Sequence, residues 1–382
     1  MASLGRLVVV KLVNAAITLL VSLFLISLIF SVFAQSTLKS RADEEAMMAC
    51  RQLERIYTDP QQYEKACQTI KNELYKRYGL YDSTFERTIK LMKMNLMMDF
   101  GKARERYIGG TYDIKEQILL ALKNTAILFT TAQIIVSAIG ILLGFAMARR
   151  PGSILDRGLS LLAMISYSLP MWWVGLLMLL IFAFYIPIFP AEAKEVYSAV
   201  AQARQQFIDA FPFISMAGLS GLELFRAALA NMKIAISMQI ATIKVWMYYM
   251  ALPLITVVLV TFGGWSYIVR NLVISTLQED FVITARAKGL PERKVLYGHV
   301  LRTASPPIVT YLALGLVGSF GGAIITETVF GWPGMGLLYW QAIQGSDTAL
   351  VVAITYISVV MFIAAILILD FLYVLLDPRV RL

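Results

Sequence analysis

The stretch Ser266–Pro307, SYIVRNLVISTLQEDFVITARAKGLPERKVLYGHVLRTASPP, joins two long apolar runs through a charged bend. Its first part leaves the apolar run as a helix and reaches Gly289, a residue free to take the left-handed conformation that ends a helix. Pro291 follows at a first-turn position, where its missing N–H costs nothing. The pattern predicts a helix, a sharp turn and a second short helix whose apolar members Val295, Leu296 and Val300 share one face beside His299. With the small residues Ala285 and Ala287 before the turn, that apolar face suits insertion into a groove on a partner protein. An ordinary connecting loop is the competing reading.

The runs on either side set the class of protein. Of 382 residues, 58% are apolar and 15% charged, against roughly 45–50% and 25% in a soluble domain, and the mean hydropathy is +0.69. A chain of this composition folded in water would expose apolar surface it has no polar residues to cover, which excludes a soluble enzyme. Charge-free runs long enough to cross a ~30 Å hydrocarbon core predict an all-α membrane protein with six transmembrane helices. The first lies within residues 1–38 and the others at about 118–148, 159–189, 249–275, 306–329 and 349–376. Residues 328–346, TVFGWPGMGLLYWQAIQGS, read as a loop because of their glycines, proline and two glutamines. Residues 211–243 are interrupted by Glu223, Arg226 and Lys233 and are expected not to cross.

Basic residues give the orientation. Arg6, Lys11, Arg149, Arg150, Arg157, Arg379 and Arg381 fall on one side, as does the bend at 276–305, so both termini are expected to be cytoplasmic. Residues 39–117 then form a helical extracytoplasmic insertion between spans one and two, and 190–248 a second long external segment between spans three and four. The net charge of +9 fits contact with an anionic lipid bilayer and requires no nucleic acid. Pro253 should open the fourth span, and Pro306 with Pro307 the fifth. Pro170 lies mid-span, where a kink and plain packing are both open. Cys50 and Cys67 fall in the external insertion, as a disulfide or as two buried thiols. Trp172, Trp173 and Trp265 read as interfacial anchors rather than stacking surfaces.

The string TARAKGLPERKVLYGHVLR resembles the cytoplasmic EAA loop of permease subunits of binding-protein-dependent ABC importers, most closely the oligopeptide/dipeptide branch. ETVFGWPGMG at 327–336, NLMMDFGKA at 95–103 and LYVLLDPRVR near the C-terminus resemble further strings of that family. The resemblance implies a permease domain at 118–382 of type I importer fold, which forms half of a path for oligopeptides, dipeptides or oligosaccharides. It also implies these partners: a second homologous permease in a heterodimer, two ABC ATPase subunits and an extracytoplasmic solute-binding protein. ATP and Mg would be bound by the ATPases; this chain has no phosphate loop, needs no cofactor, and is not expected to be an enzyme.

By the same resemblance, Thr284, Ala285, Arg286, Ala287, Lys288, Gly289, Leu290, Pro291, Arg293, Val295, Leu296 and His299 would meet the ATPase. Arg286, Lys288 and Arg293 would be its ion-pair candidates. Outside, Glu327, Trp332, Pro333, Gly334, Gly336 and Asp347 could touch solute or binding protein, or could simply pack spans five and six together. A lone histidine makes no metal site. The alternative function, an ion-coupled secondary transporter, would need ionisable groups within the spans, and their central stretches hold none.

Overall fold

The computed structural model describes residues 4–54, 57, 59–318 and 323–376. These are almost wholly helical, as a lipid-embedded backbone requires when no water is present to satisfy it. The chain divides into two compact units, Met1–Ala121 with Leu338–Leu382, and Leu122–Leu337. Among the described residues, four helices are long and apolar enough to cross a membrane, or five if one bent pair counts as a single span.

In the first unit, helix α1 (Leu4–Leu53) has 50 residues, about 75 Å at 1.5 Å per residue. Its apolar part is Val8–Phe33. The stretch expected as a separate external helix is thus a continuation of α1, since no glycine or proline interrupts residues 34–53. Helix α2 (Pro60–Arg77) starts at an Asp59 cap with proline at its first position. Helix α3 (Thr84–Leu96) opens with a Ser83/Glu86 capping box. Gly79 turns between them at φ +64°. No residue of α2 is buried; it is held to α1 by the Cys50–Cys67 disulfide, Cα atoms 5.4 Å apart, and by Asp43. The Asp43 carboxylate accepts from Tyr75 Oη at 2.8 Å and pairs with Lys71 Nζ at 2.9 Å. The last helix, α14 (Thr348–Leu376, numbered in chain order after those below), lies against α1, and Lys11 Nζ meets Asp370 at 2.8 Å.

The second unit takes in most of α4 (Ile114–Ala148), then α5 (Ile154–Ser168) and α6 (Met171–Leu179), which continues as a π-helical turn, Leu180–Tyr185. Pro170 does break its span: the two halves meet at 91°. After α7 (Val196–Ala210), helix α8 (Gly221–Leu277) runs for 57 residues with Pro253 inside it. Pro253 therefore does not begin the helix that carries the fourth span. Likewise Pro306 and Pro307 lie inside α11 (Leu301–Gly318). In both places the helix continues because the apolar flanks have no better hydrogen-bonded alternative.

Between them stand α9 (Asp280–Ala287), the single turn α10 (Glu292–Lys294) and a π-helical turn, Val295–Val300. Residues 328–346 are not a loop: α12 (Ile324–Phe330) and α13 (Met335–Gln344) flank a tight turn at Gly331, φ +60°. Residues 319–322 of the expected fifth span, and Arg379 and Arg381 of the C-terminal string, lie outside the described residues.

Candidate functional site

The bend at 276–305 is built as an elbow. Gly289 has φ +71°, and a Cβ there would meet nothing within 4 Å, so glycine is required by backbone conformation and not by crowding. Pro291 is the N-cap of α10, one position earlier than its pattern suggested. Arg286 on the first limb donates to Glu292 on the second, Nη2 to Oε1 at 2.7 Å and Nε to Oε2 at 3.2 Å. The Glu292 carboxyl is held below its ordinary range by the guanidinium, and Arg286 is raised by the same bond. With both side chains about half exposed, the bridge contributes at most about 1 kcal/mol.

The apolar face of the second limb is not available to a partner. Val295, Leu296 and Val300 are buried in a cluster with Phe145, Trp265, Val269, Val273 and Ala304. Ala285 on the first limb joins the same cluster. The four residues expected to insert into a partner groove instead clamp the elbow onto its own helices, because apolar groups beside an apolar core bury there first. What the elbow leaves exposed is a mixed side: Thr284, Arg286, Ala287, Lys288, Gly289, Pro291, Arg293 and His299 together with Ile283 and Tyr297, and with Leu290 half-buried. Of the three expected ion-pair candidates, Arg286 is already engaged within the chain.

The ETVFGWPGMG string forms a buried polar knot. The Glu327 carboxylate accepts from Thr125 Oγ1 at 2.8 Å and from the backbone N–H of Gly336 at 2.6 Å and Leu337 at 3.1 Å. Met335 N donates to Thr125 Oγ1 at 2.8 Å. Asn124 Nδ2 donates to the Pro333 carbonyl at 2.7 Å, and Trp332 Nε1 returns to the Asn124 carbonyl at 3.1 Å. A Cβ at Gly334 would lie 2.5 Å from Glu327 Oε2 and Thr125 Oγ1, and one at Gly336 would lie 2.7 Å from the Ile324 backbone. Glu327 and Trp332 have no exposed surface, so within this chain the two side chains pack helices together. Asp347, in the other unit, is equally buried. It accepts from the backbone N–H of Arg104 and from Leu350 N at 3.3 Å, which caps α14; Arg104 Nη1 also reaches the Gly345 carbonyl at 2.9 Å.

A cavity of about 940 Å³ opens in the second unit, between α4, α5, α8 and α11. Sequence reasoning did not find it. Its described lining carries no charged side chain: Gln133, Thr261, Tyr167, Tyr267 and Tyr311 supply polar atoms, among apolar residues and Trp265. Trp265 is therefore no interfacial anchor; it is buried and donates to the Ser137 carbonyl at 3.2 Å. Trp172 and Trp173 remain exposed. The polar cavity residues come from four separate helices, so no local pattern joins them.

Long apolar helices, a braced elbow and an uncharged cavity define a multi-pass membrane protein of solute transport. The family of binding-protein-dependent transport system inner membrane components matches residues 140–382, and the chain belongs to it. The chain is 27% identical over 317 residues to the oligopeptide transport system permease protein AppB of Bacillus subtilis, covering 83% of this chain and 87% of that one. It is 31% identical over 266 residues to the dipeptide transport system permease protein DppB of Escherichia coli K12, covering 70% and 73%. With the oligopeptide transport system permease protein OppB of Mycobacterium tuberculosis H37Rv it shares 43% identity over 133 residues, 35% of this chain and 41% of that protein.

Proposed function

We propose that the chain is one of two permease subunits of an ATP-driven importer of short peptides, and that its elbow receives the push of a separate ATPase. The elbow carries this reading: its buried apolar residues are clamped to the helices that bound the cavity, while its outer side, with Lys288, Arg293 and His299, is exposed. A handle needs both properties, a rigid root and a surface open to a partner. Spans one, two and six are the apolar parts of α1, α4 and α14. The bent α5–α6 pair is the third, the second half of α8 the fourth, and α11 belongs to the fifth. Six crossings put both termini and the elbow in the cytoplasm, in keeping with the basic residues there.

The names of the relatives support peptide as solute. The aromatic, uncharged cavity suits a path that accepts varied side chains, with tyrosine hydroxyls and the Gln133 amide for backbone groups. An oligosaccharide, stacking on the same rings, is the competing solute. ATP and Mg belong to the ATPase subunits, and solute arrives on an extracytoplasmic binding protein.

Purification from native membranes tests the assembly: the chain should bring down two nucleotide-binding subunits and a second permease. A single cysteine at Lys288 or Arg293 should crosslink to an ATPase and stay unlabelled by impermeant reagents in intact cells. Labelling from outside, or crosslinks that never include an ATPase, would overturn the reading. Uptake panels of peptides and oligosaccharides decide the solute.

A further inference from the structure

The first half of α8 has two apolar faces, and the chain covers only one. At 100° per residue, Ala227, Ile234, Ala241 and Val245 fall on one side, the side the chain covers, and α7 packs on this helix. Leu222, Phe225, Leu229, Met232, Ile236 and Ile240 fall in a stripe about 80° wide on the other side. The same register continues to Met247. Members of this stripe are 37% to 63% exposed. Their 3-and-4 spacing is that of a helix–helix seam.

Six large apolar side chains in one row, each 37% to 63% exposed, make a contiguous apolar patch of the kind that marks an interaction site. Lipid cannot cover it all. The charge-free part of α8 is 245–269, which at 1.5 Å per residue already spans a ~30 Å core. The helix from Gly221 to Lys244 therefore stands about 36 Å beyond it.

The two borders of the stripe differ. Arg226, Lys233 and Lys244 all fall within about 40° of one edge, while Gly221, Ala228 and Ala235 line the other. A second copy of this chain in parallel would set the basic flank against alanines and leave its charge unanswered. A helix whose apolar seam is bordered by carboxylates would answer it, and the small flank lets that helix approach closely.

We propose that this stripe is a permanent seat for an amphipathic, acid-bordered helix of the sister permease. A delivery protein that comes and goes would leave the stripe bare between visits, whereas the resident subunit covers it throughout. The proposal rests on the two-permease reading above.

The test uses the whole transporter in membranes, with a photo-crosslinking amino acid in place of Ile236. The expected product is an adduct to the sister permease, mapped by mass spectrometry to one helical segment with Asp or Glu flanking an apolar seam. The double substitution Arg226→Glu, Lys233→Glu should lower its yield at least threefold, and lysines at the mapped acidic positions should restore it. Adducts to lipid, to a second copy, to another part of this chain, or to the binding protein alone would overturn the proposal, as would no adduct. If the complex still co-purifies with its ATPases and sister permease while the adduct fails, the seam is wrong and the two-permease reading stands.

Discussion

Gly289→Val separates conformation from contact at the elbow. At φ +71° an L-residue costs roughly 1–2 kcal/mol, with a β-branched residue at the upper end, whereas asparagine visits this region more readily. Nothing lies within 4 Å of the new Cβ, so no steric term adds to that. The second limb is pinned by Val295, Leu296 and Val300, each fully or almost fully buried and worth about 1.5–3 kcal/mol. Their sum exceeds the strain several-fold, so the limb stays seated and the turn at 288–291 distorts instead. In proteoliposomes holding the complete transporter, Gly289→Val should leave Tm almost unchanged and lower solute moved per ATP hydrolysed, while Gly289→Asn retains most coupling. Full coupling in the valine variant would refute the requirement for a left-handed turn. Equal failure of valine and asparagine would mean that the partner needs bare backbone there.

Glu327→Ala should destabilise the purified protein by on the order of 3–5 kcal/mol, because two backbone N–H groups and the Thr125 hydroxyl lose their acceptor. Glu327→Gln, which keeps one oxygen, should lose less, and a Tm of the alanine variant equal to the parent's would discount the knot. Opening the Cys50–Cys67 bridge, 17 residues apart, should cost the α1–α2 hairpin about 3 kcal/mol. Amide exchange in α2 would then rise roughly 100-fold, and unchanged exchange would show that other contacts suffice. Hydrogen bonds from Lys71 and then Tyr75 hold the Asp43 carboxyl below its ordinary 3.8. A depressed carboxyl stabilises above its unfolded value, so the protection of the hairpin amides, taken relative to their intrinsic exchange rates at each pH, should be flat near neutrality and fall only as pH drops below 3.8. Asp43→Asn should abolish that fall.

The turn of the elbow was legible because glycine and proline act locally: Gly289 and Pro291 announce a bend whatever surrounds them. Which side of the limb faces a partner was not legible. Val295, Leu296 and Val300 make the same pattern whether another protein or the chain's own α4 and α8 covers them. The prolines misled for a related reason. Pro253, Pro306 and Pro307 would stop a helix in water, where freed backbone groups find solvent, but within apolar runs the helix continues. Glu327 and Thr125 are 202 residues apart, so the knot could not be read from spacing, and its glycines looked like a loop when they were making room for a carboxylate. The bare stripe of α8 was present as apolar residues between charges, yet only the covering of the opposite face by the chain shows it to be surplus to the chain's own core.

For a push on the elbow to reach the cavity, its root must be stiff and something beyond must yield. The root is stiff. Arg270, near the end of α8, grips Asp156 at the start of α5 through two bonds, Nε to Oδ1 at 2.6 Å and Nη2 to Oδ2 at 2.8 Å. Farther along, α5 seats so closely on α8 that a Cβ at Gly263 would lie 2.4 Å from the Ala163 carbonyl. The Tyr297 ring on the second limb meets Phe145 of α4 at 5.0 Å between centroids. Elbow, α4, α5 and α8 must therefore move together. Along α5 the first place where helical hydrogen bonding is interrupted is the 91° break at Leu169–Pro170. It is flanked by Tyr167 and Met171, both of which line the cavity. Displacement that arrives through a rigid root is absorbed where the backbone ladder is already broken, because bending an intact helix elsewhere would first have to break bonds that are missing here. The break beside the cavity is thus where motion of the elbow would change the shape of the path.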